Sequence, residues 1–129
     1  MVNSGKCPWT SKIRNGEIRL FPVAHAEGNF ILPSDAMYRL LFDSDQVVFR
    51  YCDPEGNMDA GYPFNPNGSR SNIAGICNAE GNVFGMMPHP ERVFFRHTHP
   101  DWYRRKISRD EGDGRAIFES ILEYIEARF

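Results

Sequence analysis

Between residues 53 and 72 the chain carries Pro54, Gly56, Gly61, Pro63, Pro66 and Gly68. Proline removes a backbone donor and fixes φ, and glycine loses the most conformational freedom on ordering. Neither a helix nor a central strand survives that density of breakers, so this stretch is expected to be a long irregular loop. Asn67-Gly68 within it is a strong turn signal. A loop of this length in a small domain is functional or flexible. Regular structure is therefore confined to short elements on either side.

On the N-terminal side, residues 1–17 are polar and broken by Gly5, Pro8 and Gly16, and read as irregular. Residues 18–24, Ile-Arg-Leu-Phe-Pro-Val-Ala, begin with alternation and read as a strand, with Pro22 at a non-donating or edge position. Ser34-Asp35 ahead of Ala36–Phe42 reads as a capped short helix. Val47–Tyr51 is β-branched and aromatic, a strand. On the C-terminal side, Ile73–Cys77 and Val83–Met87 are short apolar runs joined by Asn78–Asn82, a hairpin-like connection. Ile117, Phe118, Ile121, Leu122, Ile125 and Phe129 recur at three- and four-residue steps, with Arg115, Glu119, Glu123 and Glu126 opposite. They predict an amphipathic, core-packing helix of about 15 residues, with Asp113 as its cap.

Composition narrows the function classes. At 129 residues the chain is one domain in size, and 41% hydrophobic with 25% charged residues is globular rather than disordered. There is no apolar run of the roughly 18–20 residues that a membrane span needs. The first six residues lack the apolar core of a signal peptide. Three cysteines make no disulfide framework, and the cytoplasm is the expected compartment. A net charge of −2 gives no general case for nucleic acid or an anionic membrane. Charge is uneven, however. Arg92, Arg96, Arg104, Arg105, Lys106 and Arg109 face only Asp101 within residues 92–109, either a solvated surface or a docking patch for an acidic partner.

Four histidines are present: His25, His89, His97 and His99. His89 stands between Pro88 and Pro90, so its backbone is restricted on both sides. It follows an apolar strand, and Glu91 lies two residues on. A histidine beside a carboxylate has the parts of a general base and its orienter; the same spacing also serves as a structural or solvated pair. His89, Glu91, His97 and His99 could in number supply four zinc ligands. The helical His-Glu-x-x-His pattern and any Cys-x-x-Cys are missing, and no metal is expected. Cys77, in Gly75-Ile76-Cys77-Asn78, has the small residue of a nucleophile elbow. Its context is a strand entering a hairpin turn rather than a helix, and it reads as a structural cysteine. Cys7 and Cys52 have no supporting context.

Four segments in order carry a resemblance: Leu20–Phe30 with its His25-Ala26-Glu27-Gly28 core, Asn65-Pro66-Asn67-Gly68-Ser69 with Ile73–Asn78, Gly81–Arg92 with Pro88-His89-Pro90-Glu91, and Gly112–Phe118. Together they resemble the glutamine amidotransferase subunits of phosphoribosylformylglycinamidine synthase, from about Asn3 onward. The resemblance implies an α/β, class I glutamine amidotransferase-like fold, a flavodoxin-like mixed sheet flanked by helices. Residues 1–129 would form the C-terminal portion of one such domain, truncated at its N-terminal half. It also implies a Cys-His-Glu triad in which His89 and Glu91 match the histidine and glutamate.

The family's nucleophilic cysteine and oxyanion hole lie in the N-terminal half, in a Gly-x-Cys-Asn-Gly elbow that this sequence lacks. Cys77 does not match that elbow, and the isolated chain is expected to be inactive. Ala26 stands where the family often has glycine. The implied partners are glutamine as substrate, the missing half of the domain, and a synthetase subunit that receives ammonia and itself uses ATP and Mg. No cofactor is expected in this chain. The alternative is a non-catalytic regulatory or binding module that keeps the fold. The roles of His25 and Glu27, at the site mouth or a partner interface, stay open.

Overall fold

The structure is a computed structural model that describes residues 7–104 and 111–129. Its sheet has three antiparallel strands in the order β1 (Val47–Arg50), β2 (Ile73–Cys77), β3 (Phe84–Met86). The helices are α1 (Asp35–Asp43) and α2 (Arg115–Glu126). Single 3-10 turns lie at Pro8–Thr10, Arg70–Asn72, Pro90–Val93 and Arg96–Thr98. No helix among the described residues is long and apolar enough to cross a membrane.

The central strands are apolar without alternation because both faces of β1 and β2 are covered. Val47 and Ile73 pack on one side with Tyr38 of α1, and Phe30, Leu32 and Leu41 lean on them. Val48, Phe49, Ala74 and Cys77 pack on the other side with Cys7, Ile13 and Ile117. Val48 and Phe49, although adjacent, share a side because the β1–β2 register is interrupted: Val47 pairs with Ile76, Phe49 with Gly75 and Arg50 with Ile73. Such bulges turn a strand and re-aim its side chains. The hairpin between β2 and β3 forms as expected. Val83 N–H donates to the Asn78 side chain (2.9 Å) and Asn78 N–H to the Val83 carbonyl (3.0 Å).

The α1 cap is where the sequence places it, with Ser34 Oγ accepting from Met37 N–H at 3.4 Å. Residues 53–72 form turns ending in the 3-10 turn Arg70–Asn72. Two expectations fail. Residues 18–24 form no strand. Pro22 cannot donate, and the backbone bonds of this segment go to two different places: Leu20 N–H to Asp113 Oδ2 (3.2 Å), and Pro22 carbonyl from His89 N–H (2.8 Å). Asp113 is not the cap of α2. Gly114 takes that position with no side-chain bond, because the Asp113 carboxylate is committed to Leu20, Arg19 and His99.

Only the first half of α2 packs as its periodicity predicts. Ile117 is buried, and Phe118 meets Phe94 at 5.4 Å between ring centroids. Ser120 Oγ, fully buried, accepts from Lys12 N–H at 3.0 Å. Leu122, Ile125 and Phe129 on the same stripe are exposed, since no described element lies over the last turns.

This asymmetry predicts two different mutational costs. Ile73→Val, trimming a residue 1% exposed at the β1–β2 seam, lowers unfolding free energy by about 0.5–1.5 kcal/mol. Leu122→Ala changes it by less than about 0.5 kcal/mol. Urea unfolding midpoints at unchanged slope read both values.

Candidate active site

The β2–β3 hairpin ends at Met86, and the chain then turns through Pro88 into His89. Backbone bonds hold this exit. Met87 N–H reaches the Ala74 carbonyl on β2 (2.9 Å), and His89 N–H reaches the Pro22 carbonyl (2.8 Å). Pro90, pre-set for a first helical position, starts the 3-10 turn Pro90–Val93 that carries Glu91.

His89 Nδ1 and Glu91 Oε1 lie 2.7 Å apart, and both side chains are partly exposed, 36% and 55%. His89 Nε2 has no hydrogen bond among the described residues. Burial pushes the Glu91 carboxyl up. It is outweighed by the backbone N–H at Glu91, by the hydrogen bond and charge of His89, and by Arg92, which together hold it below its ordinary value. Chemically, this is an imidazole oriented by a carboxylate at one nitrogen and open at the other.

The remaining histidines are dispersed. His25 accepts from Gly28 N–H through Nδ1 (3.1 Å), and its ring lies against Gly28 so closely that a Cβ there would fall 2.0 Å from His25 Cε1. His97 stacks on Phe95, 5.5 Å between centroids and 11° from parallel. His99 is buried, with Nδ1 accepting from Asp101 N–H at 3.0 Å and Nε2 3.6 Å from Asp113 Oδ2. The four residues counted as possible zinc ligands are thus split between separate contacts. Among the described residues no three histidine, cysteine or acidic side chains gather as a metal site.

Cys77 is 3% exposed at the end of β2, where its backbone pairs with Gln46: N–H to the Gln46 carbonyl at 2.9 Å, and carbonyl from Gln46 Nε2 at 2.8 Å. Cys7 is 1% exposed, and burial pushes its thiol up to about 12. Neither sulfur is open to solvent.

The Asn65–Ser69 motif acts through structure. Asn65 Nδ2 donates to the Ser69 carbonyl (2.8 Å) and Asn72 Oδ1 (2.6 Å), and Ser69 N–H donates to Asn65 Oδ1 (2.9 Å). Ser69 Oγ in turn accepts from Phe30 N–H, and Asn67 Nδ2 donates to the Ala26 carbonyl. The motif therefore fastens the His25–Phe30 loop to the long turn region. Glu27 remains exposed, with no side-chain hydrogen bond among the described residues. The sequence gives Asn65, Ser69 and Asn72 no role of their own; their signal is amide and hydroxyl side chains at the end of a Pro/Gly-rich loop.

The Arg-rich stretch is seen in part. Arg92 and Arg104 are exposed, and Trp102 and Tyr103 are 47% and 85% exposed, 5.9 Å apart as rings. Arg105, Lys106 and Arg109 lie outside the described residues. A separate cavity of about 520 Å³, walled by Phe21, Val23, Phe49, Tyr51 and Phe64, reaches Pro88 and Asp113 but not His89.

Comparison with known proteins adds an independent line. A family model described as CobB/CobQ-like glutamine amidotransferase domain matches residues 1–125. The chain is 49% identical over 125 residues to phosphoribosylformylglycinamidine synthase subunit PurQ of Methanothrix thermoacetophila, covering 95% of this chain and 46% of that protein. It is 48% identical over 128 residues to PurQ of Archaeoglobus fulgidus, covering 95% and 44%. The solved structure of PurLQS from Thermotoga maritima superimposes with a TM-score of 0.67 at 31% identity, over 97% of this chain and 44% of that one. The chain spans a little under half the length of these relatives.

The depressed Glu91 carboxyl makes a pH prediction. A carboxyl held low when folded binds its proton less readily than in the unfolded chain. Its stabilisation is complete above the unfolded-state value and is lost as pH falls through the folded-state value. Wild type and Glu91→Gln should differ in melting temperature near neutral pH and converge as pH drops below about 4.3. The difference is small and shrinks with salt, because the pair is partly exposed. Thermal melts across pH at two ionic strengths check it.

Proposed function

The chain belongs to the CobB/CobQ-like glutamine amidotransferase family, with the family's class I α/β fold, and on that premise we propose that His89 and Glu91 are the histidine and carboxylate of a glutamine-hydrolysing triad. The observation that carries this is the 2.7 Å contact between His89 Nδ1 and Glu91 Oε1. It fixes the tautomer in which Nδ1 holds its proton toward the carboxylate and Nε2 is the basic nitrogen. Nε2 takes the proton of a cysteine thiol as sulfur attacks the glutamine side-chain amide. The resulting imidazolium is stabilised by Glu91 and gives its proton to the departing ammonia. Water then hydrolyses the glutamyl thioester.

The cysteine is neither Cys7 nor Cys77, both packed in the core beside the sheet. It belongs to the other half of the domain, of which residues 1–129 are the C-terminal portion. By the same reading the ammonia passes to a synthetase of the PurL kind, which uses ATP and Mg while this chain binds no cofactor, and the setting is cytoplasmic purine biosynthesis. Exposed Arg92, Arg104, Trp102 and Tyr103 form the surface offered to that partner: the aromatics anchor and the arginines steer an acidic face.

Two experiments test this. The chain is co-expressed with the N-terminal half of the Archaeoglobus fulgidus PurQ, and glutamine-dependent ammonia release is measured. His89→Ala should reduce kcat by about 10³-fold or more, with Glu91→Gln losing less, as removal of a base exceeds removal of its orienter. Undiminished turnover in folded His89→Ala removes His89 from the mechanism.

The second experiment follows association of the complemented domain with the PurL subunit between 0.1 and 1 M salt, where the Debye length falls from about 10 to about 3 Å. Arg92→Glu/Arg104→Glu should slow association and flatten its salt dependence. Unchanged rates and slope assign these arginines to solvent.

A further inference from the structure

Gly112, Asp113 and Gly114 lie immediately before α2 and touch the turn that carries Glu91. Gly114 N–H donates to the Val93 carbonyl (3.0 Å), and Gly112 N–H to the Phe94 carbonyl (3.0 Å). The approach is closer than any side chain permits. A Cβ on Gly114 would fall 1.9 Å from the Pro90 carbonyl oxygen, and one on Gly112 would fall 2.0 Å from that of Val93. Gly114 has φ −83° and ψ −22°, a conformation open to every residue. Glycine is required there by the contact, not by the backbone angles. The peptide against Gly114 joins Pro90 to Glu91, so its position sets where the Glu91 side chain begins.

Asp113 closes the frame from the other side. Its Oδ2 accepts from Leu20 N–H at 3.2 Å, and two residues on, the Pro22 carbonyl accepts from His89 N–H at 2.8 Å. Arg19 and His99 flank the same carboxylate at 3.8 and 3.6 Å. His99 Nδ1 accepts from Asp101 N–H, which leaves Nε2 as the ring nitrogen that faces Asp113. One segment thus braces both members of the pair: glycine contacts behind Glu91, and an aspartate-held loop behind His89.

We propose that Gly112, Asp113 and Gly114 are positioning residues that hold His89 Nδ1 against Glu91 Oε1. The proposal rests on the reading of His89 and Glu91 as the working pair. Its test, however, reads the pair's geometry and not turnover.

The test is made by NMR on the 129-residue chain without glutamine. In the wild type the Glu91 carboxyl, followed by its ¹³C shift, titrates below its ordinary value. In Gly114→Ala the added methyl displaces the Pro90–Glu91 peptide, and the carboxyl rises toward its ordinary value as the His89 contact is lost, while circular dichroism keeps its helical signal. A folded Gly114→Ala with an unmoved Glu91 carboxyl overturns the proposal.

If that variant does not fold, Asp113→Ala decides. The His89 amide should exchange about tenfold faster or more as the Leu20–Pro22 loop loosens. Asp113→Asn, which keeps an acceptor oxygen for Leu20 N–H, should restore protection. Equal His89 exchange in wild type and Asp113→Ala overturns the proposal. Absence of glutamine hydrolysis in the complemented assay bears on the triad alone and leaves the frame standing.

Discussion

The structure depends on the antiparallel pairing of β1 with β2, buried on both faces. Val47, Val48, Ile73 and Ala74 are 0–4% exposed, and both apolar clusters are built on this pair, one to each side. Among the described strands β3 pairs with β2 only, and Phe84 and Met86 pack on the core beside it. The hairpin therefore transmits the position of the core to the Pro88–Glu91 segment. In a chain with little regular structure, a buried strand pair is the rigid part to which a reacting group can be tied.

Around that pair the site is assembled mostly from irregular backbone. Three segments outside the sheet, residues 18–24, 87–94 and 111–114, meet through one or two hydrogen bonds each. Buried backbone groups need partners, and here they find them in an aspartate carboxylate, a proline carbonyl and the carbonyls of a 3-10 turn. Two glycines allow the closest of these approaches. The result places His89 and Glu91 within hydrogen-bond distance while leaving both partly open to solvent.

What was legible in the sequence followed from local rules. The Ser34 cap, the β-branched run at 47–51, the hairpin at 78–82 and the proline-framed His89 with Glu91 each depend on neighbours a few residues away. What was not legible depends on distant segments. Asp113 has the type and place of a helix cap, but its carboxylate meets a backbone N–H from 93 residues earlier. Residues 18–24 alternate like a strand, yet their backbone bonds go to the Asp113 carboxylate and to His89 N–H rather than into a ladder. The stripe of α2 is apolar to its end, although the described elements cover only its first turns. Glycine at 112 and 114 looks like a breaker, and only the packed structure shows that the missing Cβ is what matters.

A sheet apolar on both sides has a weakness in its specification. Where one face is wet, slipping a strand by one residue would expose its whole apolar set, and register follows from hydrophobicity. Here a slip of β1 would exchange Val47 for Val48 between two equally dry faces. The alignment must be read from polar groups at the strand ends. Gln46 clips both backbone groups of Cys77 at one end, and Tyr51 N–H meets the Asn72 carbonyl at 2.7 Å at the other. Gln46, unremarkable by type and outside every motif, thus acts as a vernier: it sets the strand alignment from which the hairpin, and with it the imidazole of His89, takes its place.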